Sequence, residues 1–274
     1  MKNLIIRALT GIIFVAVLTG AICFHSYSFL ALFSIITGLT IWEFCGLMKH
    51  YENATLQRAI NVIGGIYLFI ATFTYANGLT DGKIFLPYLL FILFTIIAEL
   101  YYKAPNPINN WAFTLFAQVY CAGSFSMLNF ISAVPGTMAY TPLFVMAIFI
   151  FVWLDDTGAY LVGSMIGKRK LFERISPKKS WEGFFGGLTF ALASSLVFAY
   201  YFPEISHCQW LGLAAVVVLF GTWGDLAESL LKRTLGVKDS GNILPGHGGM
   251  LDRFDSVMIA VPACYIYIEL FIRN

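Results

Sequence analysis

Residues 84–98 read IFLPYLLFILFTIIA, an uninterrupted apolar run bounded by Lys83 and Glu99. Extended to 84–102, it is long enough to cross the hydrocarbon core of a bilayer, which takes ~20 mostly apolar residues. Charged side chains make up only 12% of the 274 residues, hydrophobic ones make up 59%, and the mean hydropathy is +0.77. Ordinary soluble domains are far more polar. The composition therefore predicts an integral membrane protein, most of whose surface contacts lipid.

Runs of similar length recur along the chain, and they predict an all-α polytopic membrane protein with about nine transmembrane helices. The first run is longer than a signal-peptide core and lacks a convincing cleavage site, so we interpret it as a retained span. No stretch is left over for a separate soluble domain. The predicted spans are 4–24, 28–48, 60–77, 84–102, 112–132, 139–156, 183–202, 209–229 and 256–272.

Basic residues fall on one side when these spans are threaded alternately with the N-terminus inside. All of the 17 lysines and arginines except Lys83 and Arg273 then lie on the cytoplasmic side. Short cytoplasmic loops collect such residues. The pattern predicts a cytoplasmic N-terminus, an outside C-terminus, and two long polar loops, 157–182 and 230–255, facing the cytoplasm.

Residues that could take part in catalysis or ligand binding are unevenly distributed along the chain. Residues 1–150 are expected to form a transmembrane scaffold, and residues 151–274 a catalytic transmembrane region that carries both loops. The scaffold still contains two acids in or beside spans, where an ionisable group is costly and function is the default suspicion. Glu43 fits a membrane rim and a functional site equally well, whereas Glu99, beside two tyrosines and a lysine, fits a rim better.

Residues 224–256 read GDLAESLLKRTLGVKDSGNILPGHGGMLDRFDS, a composition that no lipid-facing helix requires. On a helix, Asp225 and Glu228 are three apart and Glu228 and Lys232 four apart, so one face presents two carboxylates and an ammonium group. Asp225 and Glu228 suit a metal site. Capping or ion pairing also explains Asp225, and an ion pair with Lys232 explains Glu228 equally well.

Two more acids, Asp252 and Asp255, repeat the three-residue spacing near the last span. Two helix ends that each carry a carboxylate pair suit one hard cation, and without a His/Cys set the oxygen ligands favour Mg²⁺. Spacing leaves open whether Asp255 is a ligand or only the cap of that span. Glycines between the two ends let backbone N–H groups approach phosphate oxygens, which together with the cations predicts a nucleoside triphosphate site. Candidate contacts are Lys238, Gly248, Gly249, Arg253 and His247, for which a turn-locking hydrogen bond is equally reasonable.

A second cluster joins acids at the end of the sixth predicted span to a basic loop. Residues 168–170 are typical of a positive-inside determinant or an anionic-lipid contact. The SPKKS stretch at 176–180 differs, because proline fixes a turn and hydroxyls flank adjacent lysines at a span entrance. Such a turn suits a phosphate. The candidate substrate contacts are Ser176, Lys178 and Lys179, and Asp156 is a further candidate metal ligand.

These stretches resemble the phosphatidate cytidylyltransferase family, also called CDP-diacylglycerol synthases. The resemblance covers about residues 151–256, whereas the N-terminal spans match only in hydrophobic character. It is carried by DTGAY at 156–160, SPKKSWEG at 176–183, SLLKR at 229–233, KD at 238–239, PGHGG at 245–249 and DRFD at 252–255.

The resemblance implies that CTP and phosphatidic acid react to give CDP-diacylglycerol and pyrophosphate for phospholipid biosynthesis. It also implies Mg²⁺ as cofactor, a monovalent cation such as K⁺ near the site, and a homodimer. Direct attack of the lipid phosphate on the α-phosphorus of CTP is the expected mechanism. We expect a bacterial inner-membrane enzyme with a cytoplasmic active site and no nucleic-acid partner. In this chain the implied metal ligands are Asp225 and Asp252, and the implied phosphate contacts are Lys232, Arg233, Lys178 and Lys179.

Other functions remain open from sequence. A CTP-using polyprenol or phytol kinase would share the metal and nucleotide parts but transfer the γ-phosphoryl group. An ion-coupled transporter would place acids near the midplane in both halves of the bundle. Here the acids crowd the ends of three late spans, which disfavours transport. A purely structural scaffold gives no reason for the residues between Pro245 and Asp255.

Overall fold

The computed structural model describes residues 2–51, 54–244, 246 and 248–273, with side chains from residue 9 onward. This part of the chain contains nine helices and one two-stranded antiparallel sheet. A π-helical turn at Gln118–Gly123 interrupts the fifth helix. The elements are α1 (Lys2–Phe24), α2 (Ser26–Met48), α3 (Arg58–Ala76), α4 (Leu86–Tyr102), α5 (Pro107–Ser132), α6 (Leu143–Ile166), β1 (Lys170–Phe172), β2 (Ser176–Ser180), α7 (Trp181–Tyr201), α8 (His207–Thr234) and α9 (Leu251–Phe271).

Each predicted span corresponds to one helix, which confirms the all-α polytopic fold. The helices α2 to α9 are long and apolar enough to cross a membrane, and α1 contributes a shorter apolar stretch, Leu9–Phe24. The chain is an integral membrane protein on these grounds. The sides that the two termini face remain a prediction from the distribution of lysine and arginine.

The predicted bounds of both polar loops were wrong. Helix α6 continues to Ile166, α8 continues to Thr234, and α9 begins at Leu251. An apolar window marks only the part of a helix that suits lipid, whereas backbone hydrogen bonding continues through polar residues that favour a helix. The alternative that Asp255 caps the last span is excluded, because that residue lies inside α9.

The described residues form two compact units. The first contains residues up to Pro142 together with Thr234–Phe254, and the second contains Leu143–Arg233 and the residues from Asp255. The segment after α8 thus packs with the N-terminal helices, while the functional division into a scaffold up to residue 150 and a catalytic region after it remains a prediction. The last residue of this segment, Phe254, has its ring centroid 5.8 Å from Phe14 and 5.3 Å from Phe125. This fully buried aromatic side chain anchors the segment in the core of the first unit.

Close backbone packing organises the second unit. A Cβ atom at Gly158 would lie 2.9 Å from the carbonyl oxygen of Gly186, and one at Gly183 would lie 2.9 Å from that of Ala159. Only glycine allows α6 and α7 to approach this closely. Helices α8 and α9 meet in the same way, since a Cβ at Gly224 would lie 2.5 Å from the carbonyl oxygen of Asp255.

Candidate active site

A pocket of about 380 Å³ lies in the second unit. Its size falls within the range of roughly 300–1,000 Å³ that is usual for small-molecule sites. One part of its wall is charged or polar, and the rest is aromatic or aliphatic. The lining residues include Asp155, Asp156, Tyr160, Leu171, Lys178, Lys179, Ser180, Phe184 and Thr222.

Glu182, in the first turn of α7, holds the hairpin that forms one side of this pocket. Its Oε2 accepts the backbone N–H groups of Lys168 and Arg169, each at 3.1 Å. The Trp181 N–H donates to the Arg169 carbonyl at 2.9 Å, and the Ser180 hydroxyl accepts the Gly183 N–H at 3.1 Å as the cap of α7. These bonds tie both strands of the hairpin to the start of α7 and direct the lysines of β2 toward the pocket.

Lys179 forms an ion pair with Asp225. Its side chain is 31% exposed and that of Asp225 is 22% exposed, so water reaches both only in part. The Ser229 hydroxyl also donates to Asp225 Oδ1 at 3.3 Å. Asp225 lies in the interior of α8, which excludes the helix-capping alternative. The fold therefore brings together two predicted site residues from separate motifs.

Three further acids surround this ion pair. Asp156 lines the pocket and is exposed, while Asp155 lies within electrostatic range of both Asp156 and Lys179. Asp255, half-buried, interacts electrostatically with Asp225 and Asp156. Carboxylates outnumber cations here, so a bound cation would lower the repulsion among them.

Mg²⁺ fits this donor set in its chemistry. Within the described ranges, no group of three or more His, Cys, Asp or Glu side chains is arranged to hold a metal by itself. Magnesium usually takes only one or two protein carboxylates and completes its octahedron with water and substrate phosphates. Asp225, Asp156 and Asp255 offer such oxygens from α8, α6 and α9.

Glu228 and Lys232 pair with each other on the next turns of α8. Their charged atoms are 3.2 Å apart, and the Glu228 side chain is completely buried. This contact accounts for the three- and four-residue spacing seen in the sequence. Arg233, in the last turn of α8, is exposed, and Ser176 is half-buried at the start of β2. Substrate contacts by Lys232, Arg233 and Ser176 remain predictions.

The glycine-rich loop between α8 and α9 belongs to the first unit, where Asp252 organises it. Asp252 Oδ2 accepts the N–H of Ser240 at 2.8 Å, the hydroxyl of Ser240 at 2.9 Å and the N–H of Gly249 at 2.8 Å. Gly248 has φ +83°, a conformation that favours glycine. Lys238 and Arg253 are exposed, and His247 lies outside the described residues.

Glu43 of α2 also contacts this loop. The sequence alone left open whether Glu43 lies at a membrane rim or in a functional site. Its carboxylate is buried and accepts the N–H of Met250 at 2.9 Å and the N–H of Leu251 at 2.8 Å. An acid inside an apolar segment was the only signal. Asp155 gave a similar signal, whereas nothing in the sequence marked Thr222 as a pocket residue.

Together these features define a helical membrane protein with a charged pocket of small-molecule size. The chain matches the model of the cytidylyltransferase family over residues 5–271. A phosphatidate cytidylyltransferase of Haemophilus influenzae is 31% identical over 276 residues, covering 93% of this chain and 95% of that protein. The phosphatidate cytidylyltransferase of Staphylococcus aureus is 53% identical over 121 residues, 43% of this chain and 46% of its own.

The chain belongs to the cytidylyltransferase family. The resemblance seen in the sequence motifs is thereby confirmed, and it extends across the N-terminal helices, which showed no recognisable motif. The protein is an enzyme of the nucleotidyltransferase class, which sets aside the transporter and scaffold alternatives.

Proposed function

We propose that this enzyme transfers the cytidylyl group of CTP to phosphatidic acid, giving CDP-diacylglycerol and pyrophosphate. The observation that carries the proposal is the Lys179–Asp225 ion pair beside a pocket of about 380 Å³ in a member of this family. An ammonium group suits a phosphate, and a carboxylate suits a metal that accompanies a nucleoside triphosphate. The relatives named above carry that activity in their names.

In the proposed reaction an anionic oxygen of phosphatidic acid forms a bond to the α-phosphorus of CTP. The bond from that phosphorus to the oxygen bridging to the β-phosphorus breaks, and pyrophosphate leaves with the electron pair. A phosphate monoester is already anionic at neutral pH, so the enzyme needs charge neutralisation and alignment more than proton removal. Lys178 and Lys179, which line the pocket, are the assigned phosphate contacts.

Mg²⁺ bound here would neutralise phosphate charge and orient the triphosphate. Asp225 is the first assigned ligand, and Asp252, Asp156 and Asp255 are the further candidates. Lys179 already offsets the charge of Asp225 in this structure. A monovalent cation such as K⁺ belongs to the proposal as a second cofactor, on the basis of the sequence resemblance.

The proposal also covers the cellular setting. Basic residues cluster in the two segments between α6 and α7 and between α8 and α9, which favours a cytoplasmic site in a bacterial inner membrane. CTP would reach the pocket from water, and the phosphate of a membrane lipid would reach it from the headgroup layer. A homodimer is proposed from the resemblance.

Isotope transfer tests the reaction. Purified protein in lipid-containing micelles receives phosphatidic acid, Mg²⁺ and CTP labelled at either the α- or the γ-phosphorus. We expect the α label in the lipid and the γ label in pyrophosphate, with both lost in Asp225→Asn and Asp252→Asn. Asp81→Asn, at an exposed turn, is the matched control. A γ label in a lipid product would show a kinase instead, and no transfer by folded wild-type protein would overturn the proposal.

A further inference from the structure

We infer that Glu43 is a positioning residue that fixes the glycine-rich loop and the start of α9, and thereby orients Asp252. This inference rests on the proposed function, which assigns Asp252 to the site. Glu43 lies on α2, in the part of the chain that the sequence analysis expects to form a scaffold. Its carboxylate is only 4% exposed, and no described lysine or arginine forms an ion pair with it within 4.0 Å.

Two backbone donors at the start of α9 satisfy this buried carboxylate. Oε1 accepts the Met250 N–H at 2.9 Å, and Oε2 accepts the Leu251 N–H at 2.8 Å. The Ser240 hydroxyl lies 3.2 Å from Oε2 and shares its single proton between Glu43 and Asp252. The first N–H groups of a helix have no partner inside it, and the positive end of the helix dipole favours an anion there. Glu43 thus caps α9 from a helix about 200 residues earlier in the chain.

The geometry requires a carboxylate and not only a polar group of the same shape. Each oxygen of Glu43 accepts a backbone N–H. A glutamine amide would place its NH₂ group against one of those two donors in either orientation. A buried donor left without an acceptor is expensive, so the glutamine variant should release one side of the loop.

Two loop glycines make room for Glu43. A Cβ atom at Gly249 would lie 2.5 Å from Glu43 Oε2, and one at Gly241 would lie 2.6 Å from Oε1. Neither glycine has the positive φ angle that alone would favour this residue type. The loop sequence is therefore fitted to a carboxylate that approaches from α2, in addition to any phosphate.

Ser240 connects Glu43 to Asp252. Its hydroxyl is 3.2 Å from Glu43 Oε2 and 2.9 Å from Asp252 Oδ2, while its N–H donates to the same Asp252 oxygen at 2.8 Å. A shift of the loop away from Glu43 would therefore turn the Asp252 carboxylate. Small misplacements of a group at a reaction centre lower the rate steeply.

The test compares Glu43→Gln with Glu99→Gln, the same change at another acid of the first unit. Glu99 accepts the Asn110 side-chain amide at 3.1 Å through Oε2, a contact that a glutamine oxygen can keep. We expect Glu43→Gln to lower kcat by roughly 10- to 100-fold with less than about threefold change in KM for phosphatidic acid. Glu43→Asp, which keeps the charge on a shorter side chain, should recover part of kcat. Glu99→Gln should behave as wild type.

Hydrogen exchange provides a readout that is independent of activity. In wild-type protein the amides of Gly249, Met250 and Leu251 should exchange slowly, and Glu43→Gln should accelerate them while Glu99→Gln does not. Slow exchange that persists in folded Glu43→Gln, together with unchanged kcat, would overturn the inference. If Glu43→Gln does not fold, the wild type and Glu43→Asp decide the matter. Fast exchange of these amides in wild-type protein would overturn the inference. Slow exchange in wild-type protein that becomes fast in Glu43→Asp would support the inference. Wild-type protein that makes no CDP-lipid would instead refute the proposed function.

Discussion

Two segments of this enzyme, the hairpin between α6 and α7 and the loop between α8 and α9, are each held by one glutamate that accepts backbone N–H groups. Glu182 lies at most 14 residues from its partners, and its Oε2 accepts both N–H groups at 3.1 Å, while Oε1 adds a longer contact of 3.3 Å to the Arg169 N–H. Glu43 lies 207 and 208 residues from its backbone partners and uses both oxygens. Both carboxylates accept backbone N–H groups. Glu182 is half-exposed and bonds to residues close to it in the chain, whereas Glu43 is buried and bonds to residues far from it in the chain. The conformation of the second segment therefore depends on α2, one of the N-terminal helices.

The strongest effect is expected at Lys179, the hairpin lysine that lines the pocket and pairs with Asp225. Lys179→Met should lower kcat/KM for CTP by about 100-fold, equivalent to ~2.7 kcal/mol of transition-state stabilisation, because the pocket loses a cation and Asp225 loses its partner. Steady-state kinetics in mixed micelles measures this. Lys170→Met, on β1 of the same hairpin and exposed, is the control. A loss of less than threefold would show that the hairpin does not supply a substrate contact.

The second prediction concerns Gly249, the loop residue that makes room for the Glu43 carboxylate. Gly249→Ala places a Cβ against the Ser240 hydroxyl and the Glu43 carboxylate, which contact each other, and should lower the free energy of unfolding by about 1–3 kcal/mol. Detergent-induced unfolding followed by tryptophan fluorescence gives this value. Gly82→Ala, where a Cβ meets nothing within 4 Å, is the matched control. Equal stability of the two variants would mean that the loop yields easily and that Glu43 does not hold it.

A smaller loss of stability is expected at Ser240, which lies between Glu43 and Asp252. Ser240→Ala removes the hydroxyl between Glu43 and Asp252 but keeps the backbone N–H bond to Asp252, so a loss of about 1 kcal/mol in unfolding free energy is expected. The same unfolding assay applies. Ser194→Ala, whose hydroxyl donates only to the Ala191 carbonyl of its own helix at 2.7 Å, should change stability less. The reverse order would contradict the role of Ser240 as a connection.

Glu182→Gln should have the smallest effect. A glutamine oxygen in the place of Oε2 can accept the N–H groups of both Lys168 and Arg169, and only the longer contact of Oε1 with the Arg169 N–H, at 3.3 Å, is lost, so the hairpin keeps its attachment to α7. Activity should change by less than about threefold. If this variant loses as much kcat as Glu43→Gln, the charge and not the acceptor geometry holds both segments, and the contrast between them disappears.

The sequence predicted the helices well because the bilayer imposes a length and a polarity that each span must meet. It also singled out Asp225, Lys179 and Asp252 as candidate site residues, because charged residues near apolar spans are costly and function is the default suspicion there. It could not pair Lys179 with Asp225, since residues in separate motifs carry no mark of their partner. The helical extension beyond Asp156 was missed because hydropathy reports lipid contact and not backbone hydrogen bonding.

The amino-acid sequence alone was enough to predict the class of fold, the family and the two motif regions to which the chemistry is assigned. These follow from composition and from residue types at fixed spacing along one chain. Three features became visible only in the packed structure: Glu43 caps α9, Phe254 anchors the loop in the first unit, and Gly241 and Gly249 make room for a carboxylate from α2. These contacts join residues far apart in the chain, and their identity depends on which backbones the packed helices bring together.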